Sequence, residues 1–428
     1  MAARRRDPAR GAVLQVLAGG LVFVLGWGAM VAEARDTLVV AAFPAVDAIV
    51  QEALPAWHAR HPDVDIKVVS RQFADHHTAM TTALSTASYL PDLMALEVGY
   101  VGRFARGHGL ENLAAPPYAA MALADRFVPY AFHQGMGPEG NLAALPSDIG
   151  PGTLLYRNDL LSKAGVAPAE LTRSWESYIA AGTRIKARTG SYLMANARDI
   201  KDILIRTDLA AGEGLYFDRD SRVLVQSPRF ERAFELARQV RSGKLDARVS
   251  SWSNDWSEGF RRGTIATQMS GAWLAGHLAN WLAPETRGLW RAAPLPGGAA
   301  VAFGGTFFAI PRGISASHKV LAWELVQMLT LDRDLQLQAF RMHDAFPALL
   351  AAQQDPFFDA PLPFLGGQPA RQLWRQLALR VSAVEVHKQD AFAEEVINTE
   401  LDKVLDQGKD IRVALADAAT LLQGRARR

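Results

Sequence analysis

The chain has 428 residues, 49% of them hydrophobic and 21% charged. That balance is globular rather than disordered, and the length exceeds what one hydrophobic core sustains, so two lobes of roughly 150–200 residues are expected. There is no cysteine, which excludes a disulfide framework, a Cys-ligated zinc or iron–sulfur site, a thiol nucleophile and a lipid anchor on an N-terminal cysteine. The formal charge is +2, and Arg4, Arg5, Arg6 and Arg10 set against Asp7 and Glu33 account for it within residues 1–34. The remainder is close to neutral and shows no concentrated basic face of the kind that releases counterions from phosphate, so no nucleic-acid partner is expected.

The N-terminus carries a basic stretch, then an apolar run over residues 12–27 interrupted by Gln15, then Ala32-Glu33-Ala34. This order is that of a secretory signal peptide spanning 1–34, with the mature chain starting at Arg35 and no lipid anchor. An uncleaved membrane anchor is the rival reading, because the apolar run falls only slightly short of a spanning helix.

The mature chain alternates strand and helix signals. Residues 37–42 are a β-branched and apolar strand ended by Phe43-Pro44. Asp47 is placed to cap a helix whose Ile49, Ala53 and Trp57 share a face, with Pro55 expected to kink it. His61-Pro62-Asp63 breaks it, residues 64–69 form a second strand, 78–88 a helix, and Pro91-Asp92 opens a strand over 93–96. This β-α-β-α-β order predicts a largely parallel sheet, with Phe43 and Glu97 beyond the carboxyl ends of its strands, where ligands bind. Further on, 175–189 reads as a helix stopped by Gly190, 228–240 as a helix opened by Ser227-Pro228, and 263–269 as a strand leading to Gly271-Ala272-Trp273. Gly304-Gly305 precedes a strand over 306–310, 319–330 is an amphipathic helix, and the tail 394–422 is helical.

An ordered set of short segments runs over nearly the whole mature chain: His61-Pro62-Asp63, Pro91-Asp92-Leu93, residues 107–113, Ala144-Leu145-Pro146-Ser147-Asp148, Leu155-Tyr156-Arg157-Asn158-Asp159-Leu160, Ala164-Gly165-Val166, Ser174-Trp175-Glu176, residues 260–263, Met269-Ser270-Gly271-Ala272-Trp273, Gly304-Gly305 and Pro347. In this set the chain resembles the extracellular solute-binding proteins of family 1, the maltose-binding-protein-like sugar-binding components of ABC importers. It departs from them at Arg157, where Tyr is common, and in lacking an acidic loop after the first strand. The resemblance implies an α/β, two-lobed periplasmic binding protein fold with discontinuous lobes, a ligand cleft and a hinge between them. Residues 36–146 plus about 291–342 would form one lobe, and 147–290 plus about 343–428 the other. It also implies a non-enzymatic periplasmic monomer that captures a mono- or oligosaccharide and delivers it to the transmembrane permease subunits of an ABC importer, with no cofactor.

A pyranose presents an apolar C–H face and a rim of hydroxyls, so its site needs an aromatic platform and planar polar partners, carboxylates above all. Trp273 is the first candidate platform, and Trp252 and Trp256 flank Ser253-Asn254-Asp255 as an exposed aromatic pair. Asp148, Glu97 and Asp255 are the candidate carboxylates. Gly304, Gly305 and Thr306 would bring backbone N–H groups and a hydroxyl to the ligand, Phe43 would face it, and Gln72 is an amide contact. No phosphate-loop, dinucleotide, zinc-protease or serine-hydrolase motif is present. His58, His61, His76 and His77 are expected to face solvent rather than a metal. Two alternatives stay open: a binding protein for a phosphorylated polyol, polyamine or other small solute, and a membrane-anchored sensory ectodomain. Mass spectrometry of exported protein should give an N-terminus at or near Arg35; an intact N-terminus held in the membrane would contradict the signal-peptide reading.

Overall fold

Strand β1 (Asp36–Ala42) pairs in parallel with β2 (Val64–Ser70) along its whole length and with β3 (Leu93–Glu97) through Val40 and Ala41. The computed structural model describes residues 35–207, 209–210 and 213–426, so the expected signal peptide lies outside the described residues. Among the described residues no helix is long and apolar enough to cross a membrane. Helix α1 (Val46–Arg60) buries Val50, Ala53 and Trp57 against the sheet and runs on through Pro55 to His61; Asp47 sits in its first turn, while Ala45 occupies the cap position. Helix α2 (Phe73–Thr86) begins earlier than expected, because His76 and His77 are core residues: they are 0% and 1% exposed, which corrects the expectation that they face solvent.

The parallel pattern ends at β3. Strand β7 (Ala302–Ala309) returns from distant sequence to pair antiparallel with β3, and β4 (Leu145–Arg157) pairs antiparallel with β7. The sheet order is β2-β1-β3-β7-β4-β5, with β6 (Trp290–Ala293) and β8 (Phe346–Pro347) also on β4 and β5 being Thr267–Gly271. The sheet is therefore mixed rather than largely parallel. Reading neighbours along the chain reveals the crossover units but not a strand that returns from two hundred positions away.

Strand β4 has different partners along its two halves. Leu145 to Ile149 pair with β7, and Gly152 to Tyr156 pair with β5. Between them, an added Cβ on Gly150 would lie 1.7 Å from the Phe303 carbonyl oxygen, and one on Gly152 would lie 2.7 Å from that of Val301. Apolar burial does not simply follow this division, because Leu155, Phe260, Ala272 and Trp290 beside the second half of β4 join the cluster of the first. One cluster gathers Leu38, Val40, Leu93 and Phe308 with Leu325, Phe340, Phe346 and Trp374. Another gathers Leu154, Tyr178, Phe234, Leu295 and Val301 with Ile397, Leu401, Leu415 and Leu422 of the tail.

The helix Trp175–Thr189 has the expected bounds, with the Ser174 side chain accepting from the Ser177 N–H at its start and Gly190 in a left-handed conformation (φ 77°) at its end. The tail is two helices, Asp390–Gln407 and Ile411–Ala426, separated at Gly408 (φ 71°). Because main chain occupies the space a side chain would need, Gly150→Ala is expected to cost roughly 1–3 kcal/mol of stability, read as a lowered urea midpoint; an unchanged midpoint would mean that the crossing yields easily.

Candidate ligand-binding cleft

Three adjacent strands carry one polar row. Thr306 of β7 is the register partner of Glu97 on one side and of Asp148 on the other, so all three side chains leave the same face of the sheet. The Thr306 hydroxyl and N–H beside the Asp148 carboxylate work against the burial that raises its pKa. A shift of register in β4–β7 between Ile149 and Pro151 accommodates the bulge at Gly304 (φ 80°) and Gly305 (φ 136°). At Gly305 a Cβ would come within 2.9 Å of the Asp148 carbonyl oxygen, so glycine is what lets the two backbones meet there.

Glu97 ends β3 and caps helix α3 (Val98–Ala105), its carboxylate accepting from the Gly99 N–H at 2.7 Å. The Glu97 N–H donates to His77 Nε2 at 3.1 Å, and His77 Nδ1–H donates to the Phe73 carbonyl at 2.8 Å. These two bonds require a neutral ring, and burial pushes the His77 pKa down to about 4. The ring stacks on Tyr100 at 3.9 Å. Burial pushes Glu97 up to about 7 despite its Gly99 bond, and Asp148 up to about 6 despite Thr306.

Glu97 opens into a cavity of about 440 Å³, within the ordinary range for a small-ligand site. Its walls come from five stretches of chain: Tyr100 and Arg103 of α3; Gln134; Asp202, Arg206 and Tyr216; residues 300–304; and residues 381–394, including His387, Lys388, Asp390 and Glu394. Burial works against the charge of Arg206, but Tyr216, Asp202, Glu394 and Glu97 around it raise its pKa. Burial raises Asp390 to about 7, although its carboxylate accepts from the His387 N–H. The Tyr216 hydroxyl and Asp390 Oδ1 are buried with no protein hydrogen-bond partner. The 384–386 wall is strapped in place: Gln134 exchanges two bonds of 2.9 Å with the Val384 backbone, Arg106 donates to the Val386 carbonyl at 2.7 Å, and Glu385 accepts from both Arg106 and Arg219.

Beside the glycine bulge stands Trp273. It is half-buried, its Nε1–H donates to the Phe303 carbonyl at 2.8 Å, and a Cβ on Gly304 would lie 3.4 Å from that nitrogen. Trp252 stacks on it at 5.7 Å and 13°. Trp256 is not the exposed partner of Trp252 that the sequence suggested. It is 2% exposed, its Nε1–H donates to Gln268 Oε1 and its ring meets Phe260 edge-on, because both lie on the buried face of the helix Asn254–Arg262. Phe43 is likewise a core residue, 8% exposed and packed on Phe73, His76 and His77, rather than ligand-facing. Asp255 is exposed in the first turn of its helix, and Gln72 is exposed at the start of α2 with no capping bond.

Of the expected residues, then, Glu97 and Gly304 line the cavity, Thr306 and Asp148 continue the row from Glu97, and Trp273 with Trp252 flank the bulge. Sequence reasoning missed Tyr100, Arg206, Tyr216, His387, Asp390 and Glu394. They come from separate segments that only the fold brings together. Arg157 is buried, donating to both Asp159 oxygens and to the Phe260 carbonyl, which makes it structural.

Two α/β halves threaded by a common strand, with a polar cavity between segments from both, define the two-lobed periplasmic binding fold. The solved structure of an extracellular solute-binding protein of family 1 superposes with a TM-score of 0.79 at 24% identity, over 92% of this chain and 100% of that one. The sugar-binding protein MalE of Xanthomonas citri superposes at 0.76 and 21% identity, over 91% and 97%. A lactose-binding protein of Rhizobium radiobacter is 27% identical over 351 residues, 79% of this chain and 80% of that protein. Residues 52–362 match the family of bacterial extracellular solute-binding proteins, and the chain belongs to that family. It is a binding protein and not an enzyme.

Glu97 supplies a test of the site's electrostatics. Its folded pKa of about 7 exceeds the ordinary 4.5. Between those values the folded state therefore holds a proton the unfolded chain lacks, and stability falls as pH rises through that window. Glu97→Gln, which keeps an acceptor for Gly99, should stabilise the ligand-free protein at pH 8 by at most roughly 3 kcal/mol and leave it unchanged at pH 4. Urea unfolding at both pH values checks this; equal effects at the two would mean that the carboxylate is solvated.

Proposed function

We propose that the protein is the periplasmic carbohydrate receptor of an ABC importer, working as a monomer that captures a sugar in the cleft and delivers it to the transmembrane permease. The observation that carries this reading is the Glu97–Thr306–Asp148 row at the edge of the cavity, next to the glycine bulge on which the Trp273 indole is fixed. Half-buried carboxylates with few protein donors suit a ligand rich in hydroxyls, which supplies charge-assisted bonds at each. The similarity to a lactose-binding protein supports the same class. The cavity sets Glu97, Asp202, Asp390 and Glu394 against Arg103, Arg206 and Lys388, a mixed lining that favours a neutral polyhydroxy compound over a phosphorylated polyol or a polyamine.

We place the hinge where β4 and the 301–305 segment run side by side. The lobes then follow residues 36–146 plus about 291–342, and 147–290 plus about 343–428. One apolar cluster spans both, joining Leu38 and Leu93 to Phe260 and Trp290 as well as to Phe346 and Trp374, while Leu295 and Val301 pack with the other. Export through the N-terminal signal peptide fits the family's extracellular setting.

Thermal-shift screening against neutral mono-, di- and trisaccharides tests the reading, since a ligand at 100 times its Kd stabilises by about 2.7 kcal/mol; no shift with any sugar would refute it. Trp273→Ala should weaken binding of the sugar so found by roughly 1.5–4 kcal/mol. Its half-burial and its bond to Phe303 add a stability loss of about 1 kcal/mol. Calorimetry beside urea unfolding separates the two effects, and a variant that loses stability but binds normally when folded would remove Trp273 from the site.

A further inference from the structure

Trp252 and Trp281 are among the exposed large apolar side chains, at 57% and 53%, and they are not isolated. Trp252 lies near-parallel both to Trp273 (5.7 Å, 13°) and to Trp281 (6.5 Å, 17°). Those centroid separations exceed face-to-face contact, so the rings are offset like steps, and each leaves part of its face uncovered. The row starts at Trp273, whose nitrogen is fixed to the bulge beside the cavity, and proceeds outward into solvent.

The backbone beneath the row is unusual on both sides. Trp252 has φ 69°, a left-handed conformation that a bulky side chain rarely adopts. Trp281 stands in a π-helical turn, Leu278–Leu282, a geometry that is rare and concentrated at functional sites. Arg261 fixes that turn by donating to the Leu282 carbonyl at 2.7 Å and to that of Trp281 at 3.4 Å. His277 lies within 6.0 Å of all three indoles, and its Nδ1 is buried with no protein partner. Two exposed tryptophans held on strained and pinned backbone cost stability without adding to a core.

We propose that Trp252 and Trp281 form an outer pyranose-binding subsite, so that the ligand is an oligosaccharide whose further rings leave the cleft across these two indoles. The occupant is a neutral sugar ring rather than a protein side chain, because the indole planes are parallel and continuous with Trp273, a stepped surface matched by the C–H faces of successive pyranoses. This inference rests on the carbohydrate reading above.

Calorimetric titration of the full protein with galactose, β-1,4-galactobiose and β-1,4-galactotriose, and with glucose, maltose and maltotriose, tests it. In a series that binds, affinity should rise with length. Trp281→Ala should leave the shortest bound sugar unaffected within about twofold while weakening the longest by roughly two- to tenfold. Trp252→Ala should act in the same direction, and Trp281→Phe should restore much of the loss. An unchanged urea midpoint for Trp281→Ala shows that the loss belongs to the surface. Equal weakening at every length, or no weakening at any, overturns the outer subsite while leaving carbohydrate binding intact. Wild-type protein that binds no sugar removes the carbohydrate reading itself, and the subsite with it.

Discussion

Two stretches of main chain approach each other so closely at Gly150 and Phe303 that no side chain fits between them, and the rest of the molecule is arranged around that contact. Because Gly150 and Gly152 carry no Cβ, β4 can lie against the 301–305 segment while changing partners from β7 to β5. The bulge this forces at Gly304 and Gly305 brings Thr306 into register between Glu97 and Asp148. It also turns the Phe303 carbonyl toward the Trp273 nitrogen. The carboxylate row, the placing of the Trp273 indole and one wall of the cavity thus all meet at a single backbone contact.

Charge in the cleft is arranged at a cost to the ligand-free fold. Glu97 and Asp148 are held where burial raises their pKa values, and the neutral His77 ring fixes the Glu97 backbone without neutralising its carboxylate. Had His77 been protonated, it could not accept the Glu97 N–H, and the cap of α3 would lose its support. Burial that keeps the imidazole neutral therefore serves the geometry of the acid next to it. This is the pattern expected where stability is given up for recognition.

Much of the local structure was legible in the sequence, because its signals are local. Ser174 and Gly190 bracket a helix that starts and stops where those residues dictate, and Pro91-Asp92 opens β3 because Asp92 accepts the Val39 N–H at 2.7 Å. What could not be read was long-range. The antiparallel return of β7 has no sequence-local mark, and Arg206, Tyr216 and Asp390 meet only in the fold. Trp256 was misassigned although a signal existed: Phe260 stands four residues on, which places both on one helical face, whereas Trp252 precedes the helix and escapes it. His76 and His77 show the reverse error, polar residues that serve as core because each finds a backbone partner.

The wall at residues 384–386 shows how such a cleft is prepared before any ligand enters. Its backbone is held by Gln134 and Arg106, which neighbour the helix α3 side, while Arg219 reaches the same Glu385 from the loop beside Phe217 of the other core. The Glu385 carboxylate is nearly enclosed, and Arg106, which also holds the Val386 carbonyl, is its part-buried partner, whereas the exposed Arg219 adds only a surface pair. Held in this way, His387, Asp390 and Glu394 meet the cavity at fixed positions, so a ligand need not spend binding energy on ordering them. Under the proposed carbohydrate reading, specificity would depend on where these rigid walls put hydroxyl partners and indole faces, with length selection left to the exposed tryptophans.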